Sequence, residues 1–283
     1  ANGVVIGSVI AVAAVGLTLV FGILRLINFA HGDYLTLGAF LALVGTGAGL
    51  PLYVALFPAV LGGMAFAGGL EKVLWGPLRD RGASTVNLLI LSIGLALVLR
   101  YVIFWVFGEG IHRYGPVSQR IDLGPFSLTP QDITIVLGSA VALLGVGLLL
   151  QKTRIGTAMR AMSENRDLAL ASGINVRRVI MFTWLLAGAL TAYGGVLYGL
   201  QGRVFANMGW FLLLLIFAGV ILGGIGSAYG AMAGSMIIGV SQEMVTHSAI
   251  GVPNDLKTAV AFLVLIVVLL LRPQGIFGGK RAL

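Results

Sequence analysis

Residues 4–33 read VVIGSVIAVAAVGLTLVFGILRLINFAHGD, and this stretch decides the fold class. Its first part, Val4 to Leu24, contains no charged residue. Because an α-helix rises about 1.5 Å per residue, such a run can cross a hydrocarbon core of about 30 Å. The run ends at Arg25, and the polar segment Asn28 to Asp33 precedes the next apolar run. The pattern predicts a transmembrane helix, a polar interruption and a second membrane segment.

Similar apolar runs recur along the whole chain. Of its 283 residues, 58% are hydrophobic and 10% are charged, and the mean hydropathy is +1.03. A soluble domain carries roughly a quarter of its residues as charged side chains, so that class is excluded. The runs predict an all-α, polytopic membrane bundle with about eight or nine transmembrane helices, some of them short or broken. We expect a single domain over residues 1–283, held together by close packing at many of its 42 glycines.

The charges predict which loops face the cytoplasm, because Lys and Arg resist transfer to the outer side. Thirteen of the 18 Lys and Arg residues fall in the loops 71–87 and 151–178, the turn at Arg25 and the C-terminal tail. The opposite side holds only four: Arg113, Arg120, Arg203 and Lys257. The sequence therefore predicts an outer N-terminus, an outer loop at 108–132 and a cytoplasmic C-terminus. This topology explains the net charge of +8, so nucleic acid is not an expected partner.

Two segments interrupt the apolar runs where a polar path would require it. One is the segment 28–33, and the other is the Gly-rich segment 223–227 between two short runs. Ionisable residues and broken helices at membrane depth commonly line a path. The expected path residues are Asn28, His31, Gly32, Asp33, Gly223, Gly224, Gly226 and Ser227. The alternatives are an ordinary cytoplasmic turn for the first segment and helix packing for the second, where the glycine spacing favours packing.

The loop 151–178 contains a helix with its own start and stop signals. Ser163 is the predicted N-cap, two acidic residues fall in the first turn, and Gly173 suits the end. A solvated connector would explain the charges but not these signals, so we predict a docking element in water. Its expected contact residues are Ser163, Glu164, Asp167, Leu168, Ala171 and Gly173.

Arg100 and Glu243 are the two charges expected at membrane depth in the outer half. Opposite charges there pair to lower the cost of desolvation, so one prediction is that they contact each other. The alternative is that each side chain reaches its own membrane interface.

Catalytic motifs are missing from the sequence. It has no G-x-x-x-x-G-K-[ST] segment, no H-E-x-x-H segment and no cysteine. We therefore do not expect an enzyme, a metal site or a cofactor bound by this chain.

Three segments, in order along the chain, resemble the permease subunits of branched-chain amino-acid ABC importers. They are GLTLVFGILRLINFAHGD (Gly16 to Asp33), RAMSENRDLALASGIN (Arg160 to Asn175) and VILGGIGSAYGA (Val220 to Ala231). The resemblance implies a bacterial inner-membrane importer that moves amino acids. It implies as partners an identical or related second permease, two ATP-binding cassette subunits that hold ATP and Mg²⁺, and a periplasmic binding protein.

The same resemblance makes the helix around 160–175 the coupling helix that contacts the ATPases. Glu164, Ala169 and Gly173 fall on the loose E-A-A…G pattern of the family, which is degenerate in this chain. Two alternatives stay open. The same machine could carry urea or a sugar, or the chain could be an ion-coupled transporter that works alone with Asp33 and Glu243 as its acidic groups.

Overall fold

The computed structural model describes residues 2–115, 121–123, 126–245 and 256–277. Within these ranges the helices are α1 Asn2–Leu24, α2 His31–Gly47, α3 Leu52–Leu70, α4 Gly76–Asp80, α5 Thr85–Phe107, α6 Pro130–Lys152, α7 Arg154–Glu164, α8 Arg166–Ala171, α9 Val176–Gly199, α10 Met208–Gly223, α11 Ala228–Val245 and α12 Lys257–Leu271. A π-helical turn, Glu71–Trp75, joins α3 to α4. A short antiparallel hairpin pairs β1 (Ile121–Leu123) with β2 (Phe126–Leu128). The all-helical prediction is confirmed apart from this hairpin.

In the part of the chain that the structure describes, five helical stretches are long and apolar enough to cross a membrane: Asn2–Leu24, Leu52–Asp80, Thr85–Phe107, Pro130–Lys152 and Val176–Gly199. Two shorter apolar helices, α10 and α12, accompany them. The predicted class, a helical bundle embedded in a membrane, is therefore confirmed.

The first helix, α1, is the centre of the bundle. In its most apolar stretch of 18 residues, 83% of the residues are buried, and the helix packs against α11, α9 and α6. In the corresponding stretches of α5 and α6, only 17% and 22% of the residues are buried. Their outer faces carry large exposed apolar side chains such as Trp105 and Val141. Since soluble proteins rarely expose such continuous apolar faces, these helices are suited to contact lipid.

Small residues bring α2, α3 and α9 into close contact. A Cβ atom added at Gly38 or Gly63 would collide with Ala192 of α9, and one at Gly195 would collide with the carbonyl of Leu35. Apolar burial does not drive helices together inside lipid, so this close backbone approach supplies the packing energy instead.

Two helix boundaries differ from the prediction. The loop expected at 71–87 is helical as far as Asp80. The buried Glu71 at the start of this stretch forms an ion pair with Arg79, eight residues later, and so stabilises the helical conformation. Helix α6 begins at Pro130 inside the expected outer loop, because Thr129 and Asp132 form a capping box. Three basic residues used in the topology prediction lie outside the described residues: Arg120, Lys280 and Arg281.

The bundle has two ends, which we call the α7–α8 face and the opposite face. The α7–α8 face holds α7, α8, the end of α1 and the segment 272–277. Arg25 Nη2 donates to Ser163 O at 3.4 Å there, and the amide of Ile276 donates to Leu222 O at 2.8 Å. The opposite face holds the start of α1 and an isolated antiparallel bridge between His112 and Val204.

Candidate functional site

The second helix begins halfway through the bundle. His31, its first residue, is 1% exposed, and its Nε2 lies 2.9 Å from the carbonyl oxygen of Ala13, near the middle of α1. The same nitrogen lies 3.2 Å from Thr191 Oγ1 of α9. Since a carbonyl can only accept, Nε2 carries the proton and donates it. The chain therefore runs from the α7–α8 face at Arg25 into the core at His31. The interpretation of the segment 28–33 as an ordinary turn at that face is wrong, because Asn28, His31 and Asp33 are buried.

Side chains satisfy the irregular backbone of this segment. Asn28 Oδ1 accepts a hydrogen bond from the amide of Ala30 at 3.1 Å, and Ser92 Oγ of α5 accepts one from the amide of Phe29 at 3.1 Å. Such partners are needed because no water is available in lipid to pair the backbone. The segment is thus built into the bundle by α5, an otherwise peripheral helix.

A buried ion pair lies two residues further along, within the first turn of α2. The Arg100 Nε and Nη2 atoms donate to the two carboxylate oxygens of Asp33 at 3.1 and 3.2 Å. The Asp33 side chain is 0% exposed and that of Arg100 is 11% exposed. The guanidinium carbon also lies 4.7 Å from the ring centroid of Trp210. Asp33 is in the first turn of α2, where the helix dipole adds to its stabilisation.

The predicted contact between Arg100 and Glu243 is therefore wrong. Glu243, near the end of α11, pairs instead with Lys257 at the start of α12, with Nζ and Oε1 2.8 Å apart. Asp33 and Glu243 thus each have a basic partner. Arg100 pairs with Asp33 and not with Glu243 because α5, which carries Arg100, lies against α2.

The Gly-rich segment joins α10 to α11 at the α7–α8 face. Gly224 and Gly226 have φ angles of 104° and 92°, which favour glycine. A Cβ atom at Gly223 would collide with the backbone of Gly230, so the packing interpretation is confirmed for the α10–α11 crossing. Gly226 and Ser227 also border a cavity of about 300 Å³.

The two predicted path segments do not come together. The first lies at mid-depth among α1, α5 and α9, where Gly32 packs against Gly209 at the start of α10. The second lies at the α7–α8 face, where the amide of Gly226 donates to Thr18 Oγ1 of α1 at 3.1 Å. Sequence reasoning missed Ser92, Thr191 and Trp210, although hydroxyl groups inside apolar helices are a usable signal for polar contacts.

The predicted docking helix begins two residues later than expected. Ser163 is not its N-cap, because Ser163 Oγ donates to Arg160 O at 2.8 Å within α7, whose last residue is Glu164. Asn165 has the extended backbone of a cap, and its Oδ1 accepts from the amides of Asp167 and Leu168, each at 3.0 Å. Of the two acidic residues expected in the first turn, Asp167 is there, whereas Glu164 is the last residue of α7.

The predicted stop at Gly173 is confirmed. Its φ angle is 81°, its amide donates to Leu170 O at 3.0 Å, and the amide of Ile174 donates to Ala169 O at 3.1 Å. These two bonds form a Schellman motif, the usual end of a helix at glycine.

Helix α8 presents apolar side chains away from the bundle. Ala169 is 3% exposed and anchors the helix, whereas Leu168 and Leu170 are 64% and 60% exposed. Asp167 and Ala171 are exposed as well. Two exposed leucines on a capped helix among charged residues form a surface suited to a complementary apolar groove.

Comparison with known proteins gives a consistent result. The chain matches the family described as "Branched-chain amino acid transport system / permease component" over residues 1–269. It is 31% identical to the high-affinity branched-chain amino acid transport system permease protein LivH of Escherichia coli, over 98% of this chain and 94% of that protein. Identity to BraD of Pseudomonas aeruginosa, which has the same description, is 30% with the same coverage.

A probable branched-chain amino acid transport permease protein, LivH of Methanocaldococcus jannaschii, is 30% identical over 98% of this chain and 91% of that protein. No solved structure matches the chain.

Proposed function

This chain belongs to the family of branched-chain amino acid permease components, and on that premise we propose that it is the membrane subunit of an ATP-driven amino-acid importer. Its partners would be a second permease, identical or related, two ATP-binding cassette subunits that hold ATP and Mg²⁺, and a periplasmic binding protein. The substrates would be branched-chain or related amino acids. The chain itself would hold no nucleotide.

The proposed topology has nine crossings in a bacterial inner membrane, made by α1, α2, α3, α5, α6, α9, α10, α11 and α12. The α7–α8 face would then be cytoplasmic and the opposite face periplasmic. The excess of Lys and Arg at the α7–α8 face supports this orientation. The N-terminus would be outside and the C-terminus inside.

The observation that carries the proposal is the exposed surface of α8. A permease without a nucleotide site must receive work through contact with a motor. Leu168 and Leu170 are exposed on a capped helix, and full burial of one leucine side chain contributes about 1.5–3 kcal/mol. Burial of both in a groove of an ATPase subunit would give enough energy for a firm mechanical contact.

Contacts behind α8 support a route for that work into the membrane. Arg25 at the end of α1 donates to Ser163 O at the end of α7, and Gln151 of α6 donates to the Tyr229 hydroxyl of α11 at 2.6 Å. The cavity of about 300 Å³ beside Gly226 and Ser227 separates α7 from the α10–α11 turn. Displacement of α7 would close or open this space and shift the end of α1.

The test is uptake of labelled leucine by the assembled complex in proteoliposomes. Leu168→Arg should lower ATP-driven uptake at least about tenfold, because it removes an apolar contact and introduces a charge. Thr157→Arg is the matched control, since it places the same side chain at an exposed position of α7 and should leave uptake close to wild type. Equal uptake by both variants would remove α8 from the coupling role.

The pairing of both acidic groups argues against an ion-coupled transporter that works alone. Such a protein needs a carboxylate that can bind and release its ion, yet Asp33 is paired with Arg100 and Glu243 with Lys257. Leucine uptake by the purified chain in vesicles, driven by a proton or sodium gradient without ATPase subunits, would contradict the proposal.

A further inference from the structure

A polar cavity of about 420 Å³ lies at the opposite face, far from the surface of α8. It is bordered by the starts of α1 and α6, the end of α9, and α11 and α12. Its volume is within the range of about 300–1,000 Å³ that is typical of small-ligand pockets. The half-buried side chains of Ile6 and Leu200 supply part of an apolar wall.

Charges of both signs line the same cavity. Two of them, Glu243 and Lys257, form an ion pair with each other at 2.8 Å. Asp132 accepts the capping hydrogen bonds of α6 through Oδ2, at 2.8 Å from both the amide and the hydroxyl of Thr129. Arg203 forms no ion pair with any residue in the described ranges. Among the described residues that line it, the cavity therefore offers a guanidinium that is free to receive an anion and, apart from the existing pair, one further carboxylate.

This arrangement matches the head group of an α-amino acid. A free amino acid carries one carboxylate and one ammonium group, and a pocket with one available cation and one anion neutralises both. A guanidinium binds a carboxylate with two parallel hydrogen bonds, which also fixes its orientation. A purely anionic or purely cationic ligand would leave one of the two protein charges without a partner.

We propose that this cavity is a binding station for the amino-acid substrate at the mouth of the permease. Arg203 would receive the α-carboxylate, Asp132 the α-ammonium group, and Ile6 and Leu200 the branched side chain. The inference rests on the proposed function, because it takes the transported amino acid as the ligand. It adds that the permease itself selects for the zwitterion, independently of the periplasmic binding protein.

The experiment measures weak ligand binding to the assembled complex in lipid nanodiscs, without binding protein and without ATP. Saturation-transfer NMR would give the affinity for L-leucine and for isoamylamine, which is leucine without its carboxylate. Wild type should bind leucine roughly 10- to 100-fold more tightly than the amine, the expected worth of a charged hydrogen-bonded contact. Arg203→Ala should bind leucine as weakly as the amine, and Arg203→Lys should recover part of the difference.

Arg81→Ala is the matched control, because it removes the same charge from an exposed turn after α4 and should bind leucine like wild type. The comparison between two ligands on one variant does not depend on small differences in folded fraction. Equal affinity of wild type for leucine and the amine, an unchanged affinity in Arg203→Ala, or no leucine binding to wild type would each overturn the inference. ATP-driven uptake, measured separately, reports on the proposed function, so the two can fail independently.

Discussion

Removal of Arg100 should strongly destabilise the bundle, and removal of Arg100 together with Asp33 should not. In Arg100→Met, the carboxylate of Asp33 loses both hydrogen bonds, at 3.1 and 3.2 Å, while it remains 0% exposed. Loss of one partner of a buried ion pair costs about 3–5 kcal/mol, because the other charge is left without compensation. The double variant Asp33→Leu/Arg100→Met removes both charges, and its free energy of unfolding should be within about 1–2 kcal/mol of the wild-type value.

The assay is equilibrium unfolding of the purified chain in mixed micelles, followed by tryptophan fluorescence. Arg177→Met is the matched control. Arg177 Nη2 lies 3.6 Å from Asp80 Oδ2, and the Arg177 side chain is 90% exposed. An exposed pair of this kind contributes about 0–1 kcal/mol. A decrease of less than about 1 kcal/mol in the free energy of unfolding of Arg100→Met would refute the reasoning, since the buried carboxylate would then need no arginine.

The same double variant separates two roles for the pair. A purely structural role predicts that leucine uptake returns together with stability when both charges are removed. A path-lining role for Asp33, which stays a prediction, requires that the double variant is stable but does not transport. Uptake by the reconstituted complex, compared at equal amounts of folded permease, distinguishes them.

Three further changes test other parts of the fold. Gly230→Leu should lower the free energy of unfolding by more than about 1–3 kcal/mol in the same assay, because the new side chain would enter the α10–α11 crossing. Gly145→Leu is the control and should leave the free energy of unfolding unchanged, because no atom lies within 4 Å of the added Cβ. Asn165→Ala should cost about 1 kcal/mol of α8 stability, visible as faster hydrogen exchange of the two amides that it caps. Gly173→Ala should fray the end of α8 by about 1–2 kcal/mol in the same exchange measurement, because of its φ angle of 81°.

The sequence predicted the features that depend on local pattern. The apolar runs identified the membrane class, the polar residues at 28–33 indicated a broken helix, and Gly173 marked a helix end. Each of these follows from a few neighbouring residues, such as a glycine that alone tolerates a positive φ angle. The family match covers the same residues.

Features that depend on which helices are neighbours were not predictable in this way. Asp33 and Arg100 are paired because α2 lies against α5, and nothing in the spacing of the two residues indicates that order of helices. The N-cap prediction failed for another reason: Ser163 is a good cap residue, but it is still inside α7, and Asn165 caps α8 instead. The π-helical turn after α3 has no local signal in the sequence.

The polar contacts also indicate which parts of the bundle can move as units. Only 17% of the most apolar part of α5 is buried, yet Ser92 and Arg100 connect this helix to the irregular segment before α2 and to the first turn of α2. Separation of α5 from α2 would leave a backbone amide and two charges without partners in lipid, which costs several kcal/mol. The α10–α11 turn, in contrast, meets α7 across a cavity of about 300 Å³. Any rocking motion that alters access is therefore cheaper at the α7–α8 face, beside that turn, than between α2 and α5, which should move together.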